Sequence, residues 1–450
     1  MGKSGVRYME STKTNVLTEL IEKIETKTAT VGVIGLGYVG LPLAVEKAKV
    51  GYRVIGIEHN PLRAQQVNQG QSYIADVKTE ELRPLVEQGL LKAVCDFNDV
   101  ETMDALIICV PTPLTKNRTP DLQYVESVTH AIARHLRPGH LIALESTTYP
   151  GTTDEVMLPI LEASGLQREV DFFLAHSPER VDPGNQRYTT KNTNKIVGAV
   201  GPQSLYAAET FYKQTVEHVV TVSSAKTAEL VKVFENTFRA VNIALVNELT
   251  LLCDRMNVSI WDVLDAANTK PFGIMPFYPG LGVGGHCIPI DPHYLEWKAK
   301  ELNFNTHFIA LAGEVNRRMP EFVLEKTQRV LNGAGKALSQ STILVLGVAY
   351  KKDLGDFRES PAIEVIRLLK QNGAHVLYHD PLVPAFEEHG VEMSSQALTG
   401  ELVESCDLVL ITTDHSEVEY QMVLHHAHLV LDTRNVTRSL TEGREKVTLL

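Results

Sequence analysis

The feature that most constrains the fold of this chain is its stretch from 29 to 58. An apolar segment, a glycine-rich turn, a helical segment, a second apolar segment and the acidic residue Glu58 follow one another there. This order predicts a βαβ unit that binds a dinucleotide. The glycines let a pyrophosphate approach the backbone, and the N-terminus of the following helix supplies amide groups and the positive end of the helix dipole. The turn residues that we expect to contact the cofactor are Gly35, Gly37, Tyr38, Val39 and Gly40.

The acid that ends this stretch predicts which dinucleotide is bound. Glu58 follows the glycine turn at close to the sequence spacing where such a unit has an acidic residue. The carboxylate of that residue accepts hydrogen bonds from the adenosine ribose hydroxyls. A carboxylate there also repels a 2′-phosphate, so we predict NAD rather than NADP. Arg63 is the opposing signal, because a guanidinium group can pair with such a phosphate.

Three further buried parallel strands are predicted, over 105–110, 141–144 and 172–175. Ligands of open parallel sheets bind beyond the carboxyl ends of the strands. We therefore expect residues that directly follow these strands to line the cofactor crevice. They are Pro111, Thr112 and Thr147. Glu179 and Arg180, which follow the third strand, are further site candidates. The alternative is that they form an ion pair on the surface.

The segment 225–257 contains neither glycine nor proline, and its apolar residues recur at helical spacing. A helix of this length spans about 50 Å, which is more than one small domain needs. It is therefore predicted to link domains and to provide the interface of a homodimer. Lys232, Asn236 and Arg239 fall on one face of this helix, either as site residues or as a solvated polar stripe.

A loop rich in glycine and proline follows, over 272–292. Its composition predicts a rigid turn that presents Cys287 to solvent with Asp291 close by, so we infer a nucleophilic thiol. A metal site formed by His286, Cys287, Asp291 and His293 is the alternative. Adjacent His and Cys do not easily converge on one ion, and the usual ligand spacings are missing, so no metal is expected.

The remaining sequence predicts a helical stretch over 305–330, broken at Pro320, and then a second α/β unit. Its strands are expected over 342–349, 374–380, 406–412 and 428–432. No GxGxxG sequence follows the first of them, so a dinucleotide bound in the same way is not expected. A basic loop containing Lys351 and Arg358 suits a ligand that carries phosphate.

The fold class is therefore predicted as α/β, with two doubly wound Rossmann-like parallel-sheet domains joined by a long central helix. A chain of 450 residues exceeds the size at which one core keeps growing. The predicted segments are an N-terminal helical extension (1–28), an NAD-binding Rossmann-like domain (29–222), a central helical domain with the cysteine loop (223–330) and a C-terminal α/β domain for a substrate that carries phosphate (331–450).

Charge and composition exclude several partners. The net charge of −12 argues against nucleic acid, which requires a basic face. No apolar run approaches the roughly 18 residues needed to span a bilayer, and the first 28 residues are too polar for a secretory signal. Five scattered cysteines without CxxC spacing are typical of reduced thiols. We therefore expect a cytoplasmic protein without a membrane partner.

Taken in order, these motifs resemble the UDP-glucose/GDP-mannose dehydrogenase family over about 30–435. The motifs that carry the resemblance are Gly35-Leu-Gly-Tyr-Val-Gly40, Val110-Pro-Thr-Pro113, Ser146-Thr147, Ser177-Pro-Glu-Arg180, Thr227-Ala-Glu-Leu-Val-Lys232 with Asn236, Gly284-Gly-His-Cys-Ile-Pro-Ile-Asp291 and Arg358-Glu-Ser-Pro361. The cysteine motif is most similar to the branch that acts on UDP-N-acetylhexosamines, with UDP-N-acetylglucosamine as the first expectation. Ile290 stands where UDP-glucose members often carry lysine, so a cofactor contact by that lysine is absent or replaced.

The resemblance implies a four-electron oxidation of the sugar C6 hydroxyl by two NAD⁺, through a thiohemiacetal and a thioester on the cysteine, in the synthesis of a surface polysaccharide precursor. It assigns catalysis to Cys287, Lys232, Asp291, Asn236, Thr147 and Glu179. It assigns substrate contacts to Glu179, Arg180, Val181, Lys232, Asn236, Arg239, Tyr278, Gly280, Lys351 and Arg358. Arg358 is also a candidate for binding the cofactor.

Several alternatives stay open at this point. UDP-N-acetylmannosamine differs from UDP-N-acetylglucosamine only in the configuration at C2, and no single residue decides between them. UDP-glucose is a further candidate substrate. A two-electron hydroxyacid-type dehydrogenase shares the N-terminal fingerprint but needs neither the cysteine nor a second α/β domain. A catalytically inactive nucleotide-sugar sensor is disfavoured because Cys287, Lys232 and Asp291 are all present.

Overall fold

The computed structural model describes residues 6–74, 76–115, 117, 119–182, 185, 187–285 and 287–450, with side chains from 16 onward. The chain divides into two compact units. The first comprises Met1–Glu235 with His293–Leu302, and the second comprises Asn236–Pro292 with Asn303–Leu450. The division of the sequence into four segments stays a prediction.

The first unit is built on an eight-stranded sheet in the order β3-β2-β1-β4-β5-β6-β7-β8. Strands β1 to β6 are parallel to one another, whereas β7 runs antiparallel to β6. The strand order reverses between β1 and β4, which creates the crevice where doubly wound sheets bind their ligands. The strands are β1 (Thr30–Ile34), β2 (Arg53–Ile57), β3 (Leu91–Val94), β4 (Ala105–Ile108), β5 (Leu141–Leu144), β6 (Phe173–His176), β7 (Lys195–Ala199) and β8 (Val219–Thr221).

Helices cover this sheet and bury most of its strand residues. They are α1 (Val6–Glu25), α2 (Gly40–Lys49), α3 (Pro61–Asn68), α4 (Thr79–Glu87), α5 (Gln123–Arg134), α6 (Leu158–Glu162) and α7 (Pro202–Lys213), with a 3-10 turn at Val100–Thr102 and a π-helical turn at Thr152–Met157. Helix α1 belongs to the same core, because Leu20 and Ile24 are buried in it and the Tyr52 hydroxyl donates a 2.8 Å hydrogen bond to the Ile24 carbonyl.

Four helices occupy the middle of the chain: α8 (Ala225–Met256), α9 (Ile260–Ala267), α10 (Asp291–Glu301) and α11 (His307–Gly333). Helix α8 matches the long helix predicted from the sequence. The predicted break at Pro320 is wrong, because α11 continues through it. Met319, Phe322 and Val323 are buried on either side of the proline, so packing holds the helix together although Pro320 cannot donate a hydrogen bond to the Asn316 carbonyl.

The second unit contains a parallel five-stranded sheet in the order β10-β9-β13-β14-β15. A two-stranded antiparallel hairpin, β11 with β12, accompanies it. The strands are β9 (Thr342–Leu346), β10 (His375–His379), β11 (Ala385–Glu388), β12 (Val391–Ser394), β13 (Leu408–Ile411), β14 (Val430–Asp432) and β15 (Val447–Leu449). The helices are α12 (Pro361–Gln371), α13 (Gly400–Ser405) and α14 (Tyr420–His426), with 3-10 turns at Leu338–Gln340, Val436–Ser439 and Arg444–Lys446.

Both sheets therefore confirm the α/β class and the doubly wound parallel architecture. The order of the second sheet reverses between β9 and β13, so a ligand site is expected beyond the carboxyl ends of those two strands. Within the described part of the chain, no helix combines the length and the apolar character needed to cross a bilayer.

Candidate active site

The three fingerprint glycines are required for three different reasons. Gly35 has a φ of +88°, and a Cβ there would lie 2.6 Å from the Cys109 carbonyl oxygen at the end of β4. A Cβ on Gly40 would lie 1.8 Å from the Gly35 carbonyl oxygen, so only glycine lets α2 start so close to the turn. A Cβ on Gly37 would meet nothing within 4 Å. The space at Gly37 thus fits a pyrophosphate group that approaches the backbone, as a dinucleotide requires.

Glu58 is buried beside this turn. Its Oε2 accepts a 3.1 Å hydrogen bond from the Leu36 amide, and its Oε1 accepts a 2.9 Å bond from the Asn60 amide. The carboxylate therefore lies beside the glycine turn, and its role as an acceptor for the ribose hydroxyls stays a prediction. Arg63 lies with its guanidinium carbon 5.4 Å from the centroid of the Tyr73 ring, and the Tyr73 hydroxyl donates to the Leu36 carbonyl. Tyr38 is exposed and Val39 half-buried at the start of α2.

Hydrogen bonds join the ends of β4 and β5 at the same edge of the sheet. The Thr112 hydroxyl donates a 2.7 Å hydrogen bond to the Thr147 carbonyl, and the Ser146 hydroxyl donates one of 2.7 Å to the Val110 carbonyl. The hydroxyl of Tyr294, which belongs to the first unit, donates to the Thr112 carbonyl. These hydrogen bonds fix the main chains of Thr112 and Thr147. The two threonines and the exposed Pro111 therefore lie together along one edge of the sheet.

Glu179 is held at this edge by three donors. Its Oε1 accepts hydrogen bonds from the amides of Arg180 (2.7 Å) and Val181 (2.8 Å), and its Oε2 lies 3.2 Å from Lys195 Nζ. Burial favours the protonated acid, but the Lys195 ammonium and the two amides outweigh it and lower the pKa of Glu179. A carboxylate that stays ionised is the form that can accept a proton.

Lys195 also pairs with a second carboxylate, Glu145, at 2.5 Å. Glu145 Oε1 accepts a 2.7 Å hydrogen bond from the Tyr212 hydroxyl. Burial raises the pKa of Glu145. The sequence argument missed Lys195 and did not single out Glu145, although both carry local signals. Glu145 directly follows a buried strand, and Lys195 is a charged residue at the start of another.

The side chain of Arg180 pairs with Glu235, although its backbone amide bonds the Glu179 carboxylate. Its guanidinium forms hydrogen bonds of 3.2 and 2.5 Å to the Glu235 carboxylate and donates to the Asn194 carbonyl. The arginine is therefore fixed by a bidentate ion pair with Glu235 rather than with its neighbour. Lys232 is half-buried, and no hydrogen bond or ion pair engages its ammonium among the residues that the structure describes. Arg239 is exposed.

In the second unit, the cysteine loop ends in a tight turn at the start of α10. Cys287 is exposed, and its carbonyl accepts hydrogen bonds from the amides of Ile290 (3.1 Å) and Asp291 (2.8 Å). Asp291 is only 3% exposed, and its Oδ2 accepts a 2.5 Å hydrogen bond from Asn236 Nδ2. The structure thus brings Asn236, Asp291 and Cys287 into one group.

A chain of buried amide groups fixes the first part of the loop. The Gly280 amide donates a 3.1 Å hydrogen bond to Asn247 Oδ1, and Asn247 Nδ2 donates one of 2.9 Å to Asn316 Oδ1. Asn316 Nδ2 in turn donates to the Ala240 carbonyl at 3.2 Å. Gly280 is therefore anchored to α8 and α11 through two asparagine side chains, which the sequence argument did not identify.

The loop glycines also permit close packing against neighbouring backbone. Gly282 has a φ of +131°, and a Cβ on it would lie 2.9 Å from the Asn316 carbonyl oxygen. A Cβ on Gly284 would lie 2.7 Å from the Cβ of Tyr350 and 2.9 Å from the Glu359 carbonyl oxygen. Any larger residue at either position would displace the loop, so glycine is required for this arrangement.

Two substrate candidates lie on this loop or near it. The Tyr278 ring stacks on Trp261 with a centroid separation of 6.1 Å and an interplanar angle of 18°. A Cβ on Gly280 would lie 3.1 Å from Nη1 of Arg434. Arg434 follows β14 and donates a 2.8 Å hydrogen bond from Nε to the Thr412 carbonyl. Burial lowers the pKa of Arg434. The sequence argument missed this arginine, although it stands two residues after a strand of the second sheet.

The turn after β9 repeats one detail of the first sheet. Asp380, directly after β10, accepts hydrogen bonds from the amides of Val348 (2.7 Å) and Ala349 (3.1 Å) and pairs with His415 Nε2 at 3.1 Å. Burial of Asp380 favours the protonated acid, but these donors outweigh it and lower its pKa. The position in the second sheet that corresponds to Glu58 in the first is therefore occupied by a carboxylate with internal contacts. The loop that follows carries Lys351 and Arg358.

Arg358 and Lys351 are both half-buried in that loop. The Arg358 guanidinium forms a bidentate pair with Asp356, with distances of 2.8 and 2.5 Å. This pair fixes the guanidinium at the mouth of the second sheet.

The metal alternative depended in part on His286, which lies outside the described residues. His293 Nδ1 lies 3.1 Å from the Glu296 carboxylate. A different group of potential ligands, Glu359, Glu388 and His389, has ligand atoms within 4.8 Å of one another. Two of these three residues are exposed, and exposed acidic clusters are common without an ion.

Comparison with known proteins identifies the family. Three family models match in sequence order: the NAD-binding domain of the UDP-glucose/GDP-mannose dehydrogenase family over residues 29–216, its central domain over 226–318 and its UDP-binding domain over 344–439. UDP-N-acetyl-D-mannosamine dehydrogenase of Pyrococcus horikoshii is 35% identical over 420 residues, which cover 92% of this chain and 97% of the relative. UDP-N-acetyl-D-glucosamine 6-dehydrogenase of Pseudomonas aeruginosa is 33% identical over 396 residues, which cover 87% and 92%.

A solved structure shows the same fold. The structure of a UDP-D-ManNAc dehydrogenase from Pyrococcus horikoshii superimposes with a TM-score of 0.83 at 34% identity and covers 90% of this chain and 96% of its own. The two sheets, the NAD-binding fingerprint and the match of three consecutive domain models lead to one conclusion. The chain belongs to the UDP-glucose/GDP-mannose dehydrogenase family and is an NAD-dependent nucleotide-sugar dehydrogenase.

Proposed function

We propose that this enzyme oxidises the C6 hydroxyl of a UDP-N-acetylhexosamine to the uronic acid, through a covalent intermediate on Cys287. The observation that carries the proposal is the exposed Cys287, whose carbonyl is bound by the amide of Asp291 while Asn236 holds the Asp291 carboxylate. A fixed loop that presents a thiol beside a buried acid serves acyl transfer. A single two-electron oxidation of an alcohol does not need it, so this observation supports the four-electron reaction over the hydroxyacid-type alternative.

The first unit supports the cofactor role. NAD⁺, when bound there, would supply the hydride acceptor for each of the two oxidations at C6. Gly35, Gly37 and Gly40 shape the cradle for the pyrophosphate, and Glu58 is the acceptor for the ribose hydroxyls. The negative charge of Glu58 favours NAD over NADP.

Cys287 performs the covalent chemistry in this proposal. Its thiolate adds to the C6 aldehyde, so that a C–S bond forms and the carbonyl oxygen takes up a proton to give the thiohemiacetal. Loss of a hydride and a proton leaves a thioester. Water then attacks the thioester carbon, the C–S bond breaks, and the uronate and the thiol are released. The covalent bond retains the reactive aldehyde throughout.

The remaining catalytic candidates move protons or stabilise charge. Glu179 and Asp291 are the carboxylates that accept protons from the C6 hydroxyl and from the attacking water. The ammonium of Lys232 stabilises the negative charge that develops on the substrate oxygen. Asn236 and Thr147 hold the water or the hydroxyl in line. The accessible Lys232 ammonium and the ionised Glu179 support these roles.

Basic groups of the second unit are proposed to bind the UDP portion. Lys351 and Arg358 lie after β9, and Arg434 lies after β14 next to Gly280. Guanidinium groups match the geometry of phosphate oxygens, which supports this assignment. The other proposed substrate contacts are Arg180, Val181, Arg239 and Tyr278.

Two N-acetylhexosamines are candidates for the sugar. The cysteine motif is most similar to the branch that acts on UDP-N-acetylhexosamines, and UDP-N-acetylglucosamine is the first candidate because relatives named for that sugar are 33% and 34% identical. Relatives named UDP-N-acetyl-D-mannosamine dehydrogenase reach 35% and 37% identity, which supports UDP-N-acetylmannosamine as the second candidate. Ile290, in place of the lysine of UDP-glucose members, makes UDP-glucose the weaker alternative. We propose that the uronate serves as a precursor of a surface polysaccharide.

The enzyme is also proposed to form a homodimer through α8. Leu245, Leu249, Leu252 and Met256 are spaced along one face of this helix, and each is at least 40% exposed. A row of large apolar side chains in water is unfavourable for a monomer, and a second copy of the same face would cover it. A cytoplasmic location is proposed as well, because the sequence has five scattered cysteines without CxxC spacing, a pattern typical of reduced thiols.

The decisive experiment measures NADH formation with a panel of UDP- and GDP-sugars. We expect activity with one or both UDP-N-acetylhexosamines, two NADH per sugar consumed, and a uronic acid detected by mass spectrometry. One NADH per sugar with an aldehyde or ketone product would support the two-electron dehydrogenase instead. Activity confined to UDP-glucose would overturn the proposed sugar but not the chemistry.

A further inference from the structure

The first unit contains a buried charge group in which two residues, Lys195 and Glu145, have no role in the proposed reaction. Lys195 Nζ lies 2.5 Å from Glu145 Oε2 and 3.2 Å from Glu179 Oε2. The side chains of Lys195 and Glu145 are 4% and 0% exposed, while that of Glu179 is 15% exposed. One ammonium therefore serves two carboxylates, of which only Glu179 reaches toward solvent. Removing such charges from water is costly unless ion pairing and additional hydrogen bonds compensate for it.

The two carboxylates are treated differently by their surroundings. Glu179 has two backbone amide donors in addition to Lys195, and its pKa is lowered against the effect of burial. Glu145 has one further donor, the Tyr212 hydroxyl, and burial raises its pKa. Two interacting acids whose environments separate their proton affinities are the arrangement that assigns one of them as a base.

Resting on the proposed function, we propose that Lys195 and Glu145 are positioning residues for Glu179. The Lys195 ammonium keeps the Glu179 carboxylate ionised and oriented, so that Glu179 can accept the proton released during oxidation or hydrolysis. Glu145, held by Tyr212, fixes the ammonium from its buried side. Neither Lys195 nor Glu145 needs to touch the substrate, since both act through Glu179.

The positions in the sheet explain why this group is rigid. Lys195 is the first residue of β7, Glu145 follows β5, and Glu179 follows β6 three residues after His176. Strand β7 is antiparallel to β6, which brings its first residue to the edge where the parallel strands end. The reversed strand therefore places the Lys195 charge at the same edge as Glu145 and Glu179.

Other titratable groups face this cluster from neighbouring elements. Cys109 at the end of β4 is buried, and its pKa is raised by burial and by Glu145. His176 on β6 is buried, with a pKa lowered to about 3 by burial and by Lys195. From α2, Lys47 is buried against Tyr212, with its Nζ 4.9 Å from the ring centroid. Of the groups that face Lys195, Glu145 and Glu179 are the two that pair with it directly.

The test uses opposite charge changes and the pH profile of kcat/KM for the preferred UDP-sugar. Glu145→Gln removes the negative charge that competes with Glu179 for the Lys195 ammonium, so Glu179 ionises more easily. The acidic limb of the profile, where kcat/KM falls as Glu179 becomes protonated, should therefore move to lower pH. Lys195→Met removes the positive charge and should move the same limb to higher pH, with a fall in kcat. Lys195→Arg should restore the limb toward its original position. Lys213→Met, an exposed change on α7 next to Tyr212, is the matched control and should leave the limb unchanged.

A structural role alone predicts a different pattern. It would lower thermal stability in all three buried variants without opposite shifts of the acidic limb, and that outcome would overturn the inference. If Lys195→Met does not fold, Glu145→Gln and Lys195→Arg still test the proposal. An acidic limb of the pH profile that does not move in Glu145→Gln contradicts it. Titration of Glu179 by carbon-13 NMR in the wild type and in Glu145→Gln provides a readout without turnover. An enzyme that forms two NADH per sugar but shows no shift refutes only this inference, whereas absent UDP-sugar oxidation refutes the proposed function.

Discussion

Asn236 Nδ2 donates a hydrogen bond of 2.5 Å to Asp291 Oδ2, joining the middle of helix α8 to the first residue of helix α10. The carboxylate is buried, so each donor to it matters. A buried acceptor that loses a partner costs about 1–3 kcal/mol. The Asn236 amide therefore helps to hold the Asp291 carboxylate, while the Asp291 backbone amide bonds the Cys287 carbonyl.

Removal of this amide should affect both stability and catalysis. In Asn236→Ala, we expect the free energy of unfolding to fall by about 1–3 kcal/mol and kcat to fall more than NAD affinity. Denaturant unfolding and steady-state kinetics measure the two effects. Asn242→Ala, on the same helix, removes an amide that bonds only the Phe238 carbonyl near the surface and serves as control. Equal effects in both variants would contradict a specific role for Asn236.

Replacement of Cys287 by serine should stop formation of the uronic acid while NAD still binds. A serine hydroxyl is a far weaker nucleophile than a thiolate, so we expect net turnover to fall by roughly three orders of magnitude or more. Uronate formation is followed by mass spectrometry, and NAD binding by calorimetry. Cys95→Ser, a change at another exposed free cysteine, should keep full activity. Unchanged turnover in Cys287→Ser would remove the nucleophile from the mechanism.

The open space at Gly37 predicts a variant that folds but binds NAD poorly. A Cβ at this position meets no protein atom within 4 Å, so Gly37→Ala should keep the apo-protein melting temperature. The added methyl group would occupy the place of the pyrophosphate, and we expect NAD affinity to fall about tenfold or more, which is about 1.4 kcal/mol. Gly333→Ala, also in open space, should change neither quantity. Unchanged NAD affinity in Gly37→Ala would show that the pyrophosphate lies elsewhere.

Lys47 is a buried cation whose replacement should stabilise the protein. Its Nζ lies 3.5 Å from the centroid of the Phe211 ring and donates to the Phe211 carbonyl, and burial lowers its pKa well below 10.5. The unfolded chain therefore binds a proton that the folded protein binds less readily, so wild-type stability should rise with pH between the lowered pKa and 10.5.

In Lys47→Met, we expect a gain of about 1–3 kcal/mol near neutral pH and a smaller gain near pH 10. Denaturant unfolding at several pH values measures both. Lys49→Met, which removes a partly exposed lysine paired with Glu46 on the same helix, should change stability by no more than about 0.5 kcal/mol. A gain that does not depend on pH would show that proton binding at Lys47 is not the cause.

The apolar row on α8 predicts a dimer that a charge should dissociate. Leu249→Glu places a carboxylate in the proposed interface, and burial of an unpaired charge is costly. Light scattering should show half the wild-type mass at micromolar concentration. Leu62→Glu changes a leucine that is 70% exposed on α3 and should leave the mass unaltered. A wild-type protein that is monomeric would contradict the proposal directly.

Much of the fold could be predicted because its signals are local. The glycine turn, the buried strands and the glycine-free run of α8 each depend on residues close in sequence. The pairing of Lys195 with Glu145 could not be predicted from the sequence, because it depends on strand β7 lying antiparallel beside β6. Arg434 was missed because its approach to Gly280 depends on strand order in the second sheet. At Pro320, local propensity predicted a break that packing of Met319 and Val323 overrides.

The chain of amides from Gly280 through Asn247 and Asn316 to Ala240 has a consequence for motion. The loop that carries Cys287 is bonded to two helices at its beginning, so it cannot detach there without breaking buried hydrogen bonds. Its amide hydrogens should therefore exchange with solvent at rates close to those of the middle of α8, unlike those of an independent surface loop. The cysteine is presented by a segment that unfolds together with the helices.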